Sequence, residues 1–142
     1  MKRFRLFLRL PARDRILLLE AVGALVLAGA LLRTVAFSKL AKRLGRHMAV
    51  TPDTETGEAV AVARRVRWAV ETAARNLPWR PMCFPQAVAA TMMLRRRRIA
   101  STLYLGVDPA RQLDAHAWVR VGRVIVTGGP LETRFAVVST FA

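Results

Sequence analysis

An α+β fold, helices first and a small antiparallel sheet last, is predicted by three features of this sequence. Apolar residues recur at helical spacing through the first two-thirds of the chain. After Ile99 the pattern changes to short strand-like runs bounded by Gly, Pro and Asp. The two prolines of Leu77-Pro78-Trp79-Arg80-Pro81 break the helical part just before its last segment. At 142 residues the chain has the length of one domain, with room for a core. Residues 1–50 form a basic, apolar helical region and 58–142 the remaining core, expected to make one compact unit.

Taken in order, Met1 to Pro11 mixes Lys2, Arg3, Arg5 and Arg9 with Phe4, Leu6, Phe7, Leu8 and Leu10. A long apolar run follows from Ile16 to Leu32, with Asp14 as its expected N-cap and Arg33 at its C-terminal end. Three readings fit that run: a helix buried in the domain, an interfacial or membrane-inserted anchor, and a cleaved signal. Glu20 counts against a spanning helix. Arg33 to Met48 is expected to continue as a basic amphipathic helix with Leu40 and Leu44 on one face, ended near Gly45. Thr51 to Gly57 reads as a polar, flexible joint. Glu58 to Asn76 is a helix with Val62, Val66, Ala69, Val70 and Ala73 on one stripe and Trp68 expected in the core. The next helix starts at Cys83, accepts Pro85 in its first turn and closes at Arg95-Arg96-Arg97-Arg98. The expected strands are 102–107, 113–121, 124–127 and 134–138, with loop 108–112 and a hairpin at Gly122-Arg123. Gly128-Gly129-Pro130 ends the third strand.

Charge and cysteine count narrow the function. The formal charge is +15, from 24 Lys and Arg against 9 Asp and Glu. That balance suits an acidic peptide, an anionic membrane surface or nucleic acid, and equally a solvated arginine-rich face. Nucleic acid is not expected, because no recognition motif is present and stacking aromatics are few. One cysteine excludes an internal disulfide and any multi-cysteine metal site. A free thiol suits a reducing cytosol, so the expected location is cytoplasmic, with membrane association through 16–32 left open. No cofactor and no metal are expected.

The chemistry-bearing pattern is Cys83 at a helix mouth and His116 on a later strand, in Ala115-His116-Ala117-Trp118-Val119. The positive end of a helix dipole and its unpaired N–H groups favour thiolate. A lone Cys with a downstream His is the sparse signature of a thiol acyl-transfer or protease site. A buried structural cysteine is the plainer alternative.

These residues resemble the transglutaminase-like, papain-like fold. More narrowly, Cys83-Phe84-Pro85-Gln86-Ala87, Leu94 to Ile99, Leu105-Gly106-Val107, Ala115 to Val119, Gly122-Arg123 and Gly128-Gly129 resemble the lasso-peptide maturation proteases. The resemblance implies a cysteine peptidase that removes the leader of a ribosomally made precursor peptide. A separate asparagine-synthetase-like cyclase would then form the macrolactam, and a separate leader-recognition protein would deliver the substrate. It implies Cys83 as nucleophile and His116 as general base, with the Cys83 backbone N–H as an oxyanion donor. The family's third member is usually an Asp on the strand after the histidine, and here Val124 to Gly129 contains no carboxylate. Thr127 is the substitute favoured by topology, with Asp114 and Asp108 as alternatives. Gln86 fits the oxyanion and substrate region or simple packing, and Trp118 a shield for the pair or the core.

Two other functions share these features. A transglutaminase-like acyl transferase keeps the fold but uses an amine as acceptor. A non-catalytic basic adaptor at a membrane or on nucleic acid would use the 16–32 run and the arginine patches, and would leave Cys83 and His116 dispensable.

Overall fold

A computed structural model describes residues 2–129 and 134–142. Among the described residues five helices precede four strands: α1 Lys2–Arg9, α2 Ala12–Thr34, α3 Phe37–Leu44, α4 Gly57–Asn76, α5 Cys83–Arg96, then β1 Thr102–Asp108, β2 Arg111–Val121, β3 Val124–Thr127 and β4 Ala136–Phe141. The strands form one antiparallel sheet in the order β3-β2-β1-β4, so the α+β expectation holds.

Small side chains let the helices approach closely. Leu17, Leu18, Ala21, Leu25 and Ala28 make the buried stripe of α2, which packs on α4 and α5. The α4 stripe contains the expected Val66, Ala69, Val70 and Ala73, and Thr56 caps it by accepting the Ala59 N–H at 3.2 Å. From α5, Ala87, Val88, Ala89, Ala90, Met93 and Leu94 are buried. Fully burying a side chain such as Leu25 or Leu94 contributes about 2 kcal/mol each. The sheet completes this core with Leu103, Ala117, Val119, Val121 and Val126.

Several local expectations are corrected. Asp14 lies inside the first turn of α2, because the helix starts earlier, after Pro11; its carboxylate bonds Arg65 of α4 at 2.9 Å. The helix expected over 33–48 is interrupted: Val35 and Ala36 are extended, which lets α3 turn Leu40 and Leu44 into the core. The four-arginine run is not uniformly solvated. Arg97 turns inward to Glu20 of α2, with Nη1–Oε1 at 2.8 Å and Nη2–Oε2 at 2.6 Å, and also donates to the Met93 carbonyl at 2.9 Å. Trp68 is exposed, not core, since it points away from the α4 stripe.

The 108–112 loop is shorter than expected, with β2 starting at Arg111. Asp108 accepts the Ala110 N–H at 2.9 Å and so tightens the turn. The last strand lies at 136–141, because residues 46–48 hold its end: Arg46 N–H donates to the Ala142 carbonyl at 2.7 Å and Met48 N–H to the Thr140 carbonyl at 2.8 Å. The 51–57 joint is pinned to the sheet. Arg120 donates to the Thr51 carbonyl at 2.8 Å, to Asp53 at 2.5 Å and to the Tyr104 hydroxyl at 2.9 Å. Pro130, expected in the turn after β3, lies outside the described residues.

Candidate active site

Cys83 is the first residue of α5 and is half-buried. Met82 before it is extended, so the chain enters the helix sharply, and Pro85 occupies the first turn. No side chain caps this end. The thiol therefore stands among backbone N–H groups that have no intrahelical acceptor. Gln86, one turn on, donates from Nε2 to the Pro81 carbonyl at 2.7 Å and fixes the Pro81–Cys83 entry. An open cleft of about 440 Å³ lies beside this entry, lined by Glu71, Ala74, Arg75, Arg80, Pro81 and Gln86.

His116 sits on β2 opposite Gly106 of β1. Its Nε2 lies 2.6 Å from the Gly128 carbonyl oxygen. A carbonyl can only accept, so Nε2 carries the proton and donates it. Neutral imidazole then has its lone pair on Nδ1. The ring is held between aromatics: Phe135 at 4.8 Å and Trp118 at 5.9 Å between ring centroids, with Trp118 in turn stacked on Tyr104 at 5.3 Å. Gly106 is required beneath them, since a Cβ there would lie 2.9 Å from both Phe135 and Trp118.

The sequence-derived third member is thus served differently from expectation. Thr127 is buried and its hydroxyl has no hydrogen-bond partner among the described residues. The imidazole is held one residue later, by a backbone carbonyl. Asp114 is exposed and pairs with Arg134 at 3.2 Å. Asp108 is buried and pairs with the same Arg134 at 2.6 Å. Its carboxyl is held below the usual value, first by the Ala110 N–H and then by Arg134. Both carboxylates anchor Arg134, the residue before Phe135. Gly128 and Phe135 are the contacts that sequence reasoning missed. A backbone acceptor leaves no side-chain signal, and one aromatic among several carries little.

Cys83 and His116 lie on packed elements, α5 and β2, but no hydrogen bond joins them. Strand alternation explains why. Ala117, Val119 and Val121 face the core shared with α5, whereas His116 and Trp118 lie with Tyr104 on the other face. Among the described residues no group of three or more His, Cys, Asp or Glu side chains is placed to hold a metal ion.

The profile of the Transglutaminase-like superfamily matches residues 24–140, from within α2 to β4. The chain belongs to that superfamily. No curated protein and no solved structure matches it. That superfamily includes cysteine peptidases and transferases, and the match spans both α5 and β2.

Proposed function

We propose that this chain is a cysteine peptidase that removes the leader from a ribosomally synthesised lasso-peptide precursor. It would act with a separate leader-recognition protein, before an asparagine-synthetase-like cyclase closes the macrolactam. The observation that carries the reading is the imidazole of His116, tethered through Nε2 to Gly128 and left basic at Nδ1, in a superfamily member with one thiol at a helix N-terminus. The motif resemblance around Cys83 and His116 supplies the substrate class.

In this reading His116 Nδ1 takes the thiol proton and Cys83 Sγ attacks the scissile carbonyl. The Cys83 backbone N–H faces the developing oxyanion. Collapse breaks the C–N bond, His116 returns the proton to the leaving amine, and water attacks the thioester to free the leader carboxylate and the thiol. The free chain holds thiol and imidazole unbonded, with His116 on the sheet face away from the core of α5, so this step requires substrate and partner binding to reposition the ring or the start of α5. Trp118 and Phe135 shield the ring during this step. The Gly128 carbonyl stabilises imidazolium less than a carboxylate would, which suits an enzyme of modest turnover that depends on its partner. The cleft beside Gln86 is where we place the substrate chain, with Arg75 and Arg80 favouring acidic residues.

The test is cleavage of a precursor peptide followed by mass spectrometry, for wild type, Cys83→Ala and His116→Ala, with and without the leader-recognition protein. Cleavage abolished in both variants and stimulated by the partner is expected. Cleavage that survives Cys83→Ala would falsify the thiol mechanism and turn attention to a non-catalytic adaptor.

A further inference from the structure

Helix α2 is apolar on two opposite sides, and among the described residues only one side has a partner within the fold. Its inner stripe packs on α4 and α5, with Ala21, Leu25 and Ala28 fully buried. Ile16, Leu19, Gly23, Val26, Leu27 and Ala30 form the opposite stripe and are exposed, Ile16 at 66% and Leu19 at 61%. The helix is 23 residues long with a mean hydropathy of 2.1 over its most apolar window, long and apolar enough to cross a bilayer. Crossing, however, would strip Leu25 and Ala21 from α4 and α5 and carry the Glu20–Arg97 ion pair into hydrocarbon.

Charge identifies what the outer stripe meets. Residues 1–50 contain eleven Lys and Arg and only two carboxylates, Asp14 and Glu20. Both carboxylates are engaged inward, with Arg65 of α4 and Arg97 after α5. The exposed cations stand at both ends of the stripe: Arg13 near its start and Arg33 at its finish. Helix α1 adds exposed Arg5 and Arg9 beside exposed Leu6 and Leu8, while Phe7 and Leu10 pack inward. Helix α3 adds exposed Lys39, Lys42 and Arg43.

We propose that α2 lies flat on an anionic lipid bilayer, with Ile16, Leu19, Val26 and Leu27 seated at the headgroup–acyl boundary and the flanking Arg and Lys residues on the lipid phosphates. The protein is then peripheral: one side of α2 belongs to the lipid and the other to the fold. This placement does not rest on the peptidase reading, and its readout is independent of catalysis.

The experiment is flotation of the full chain with vesicles of phosphatidylcholine alone or with one-third phosphatidylglycerol. Three proteins are compared: wild type, Leu19→Asn/Val26→Asn/Leu27→Asn, and Arg5→Glu/Arg9→Glu. Each cation near an anionic surface strengthens binding about fivefold, so the charge-reversed variant should lose more than about tenfold. The stripe variant should lose a comparable amount with an unchanged far-UV spectrum. Wild-type protein should prefer the anionic vesicles, weaken as salt rises and come off in alkaline carbonate. Equal flotation on neutral vesicles overturns the proposal, as do no flotation at all and resistance to carbonate. So does a stripe-dependent dimer of the lipid-free protein that does not float. Should the stripe variant misfold, the charge-reversed protein and the lipid comparison still decide.

Discussion

The Glu20–Arg97 pair fastens α2 to the end of α5, and its removal has a calculable effect. Two nitrogens of Arg97 meet the two Glu20 oxygens at 2.8 and 2.6 Å, with Arg96 further off at 3.8 Å. A charge-assisted hydrogen bond contributes about 1.5–3 kcal/mol where it is protected from water. The Glu20 side chain is 17% exposed and that of Arg97 30%, so screening reduces this to about 1–1.5 kcal/mol for Glu20→Gln. At about 3 °C per kcal/mol for a domain of this length, the midpoint should fall by about 3–5 °C. The pH dependence follows from the Glu20 carboxyl, held below its ordinary 4.5, mainly by the Arg97 hydrogen bonds. A depressed carboxyl stabilises the fold above the unfolded value and loses that contribution as pH falls through the folded one. The difference between wild type and Glu20→Gln should therefore be full at pH 7 and shrink below pH 4.5. Urea unfolding of wild type, Glu20→Gln, Arg97→Gln and the double variant measures the coupling. Additivity within about 0.3 kcal/mol at pH 7 would mean that the pair contributes nothing, and the argument for a fastened α2 would fail.

Gly128→Ala should be costly, because φ is +85° and a Cβ would lie 2.6 Å from both the Ala117 carbonyl and the Trp118 Cβ; a loss of about 2 kcal/mol or more is expected in thermal unfolding, together with changed His116 ring chemical shifts by NMR. Thr127→Val removes a buried hydroxyl that has no partner among the described residues, so stability should stay level or rise by up to about 1 kcal/mol, and precursor cleavage should be retained; a large loss of cleavage in a folded variant would return the orienting role to the Thr127 hydroxyl. Asp108→Asn should loosen Arg134 and destabilise the fold at pH 7. Because the Asp108 carboxyl is held below its ordinary 3.8, the difference from wild type should close only as pH drops under that value, and closure already near pH 6 would contradict the assigned partners.

What could be read from the sequence was what short-range chemistry dictates. The prolines at 78, 81 and 85 place the start of α5, and the stripe from Val66 to Ala73 places the buried face of α4. The alternation around His116 places β2, and Gly122, with φ at +53°, turns the hairpin. Features formed by distant partners were not legible. Arg97 looked like one of four solvated cations because nothing nearby reveals that Glu20, 77 residues earlier, will face it. Asp14 looked like a cap because Arg65 is equally remote in sequence. The polar stretch from Thr51 looked like a loose joint because its anchor, Arg120, lies on a strand. At the site, Cys83 and His116 were visible as residue types, whereas the Gly128 carbonyl has no side chain to announce it.

Topology accounts for that carbonyl. β3 and β4 are the two edges of the sheet, yet they follow one another in sequence. The described ends of the link between these edges, Gly128–Gly129 and Arg134–Phe135, stand with His116 and Trp118 on the face away from the core helices. Its first residue beyond β3 is Gly128, whose positive φ lets it lie against Ala117 and Trp118. Its last contacts before β4 are Arg134, held by Asp108 and Asp114, and Phe135, stacked on His116. Gly128 and Phe135 thus bring a hydrogen-bond acceptor and an aromatic wall to the same imidazole. A chain without a carboxylate at the end of β3 can still fix its histidine this way, because the residue that follows β3 sets its backbone carbonyl against the ring.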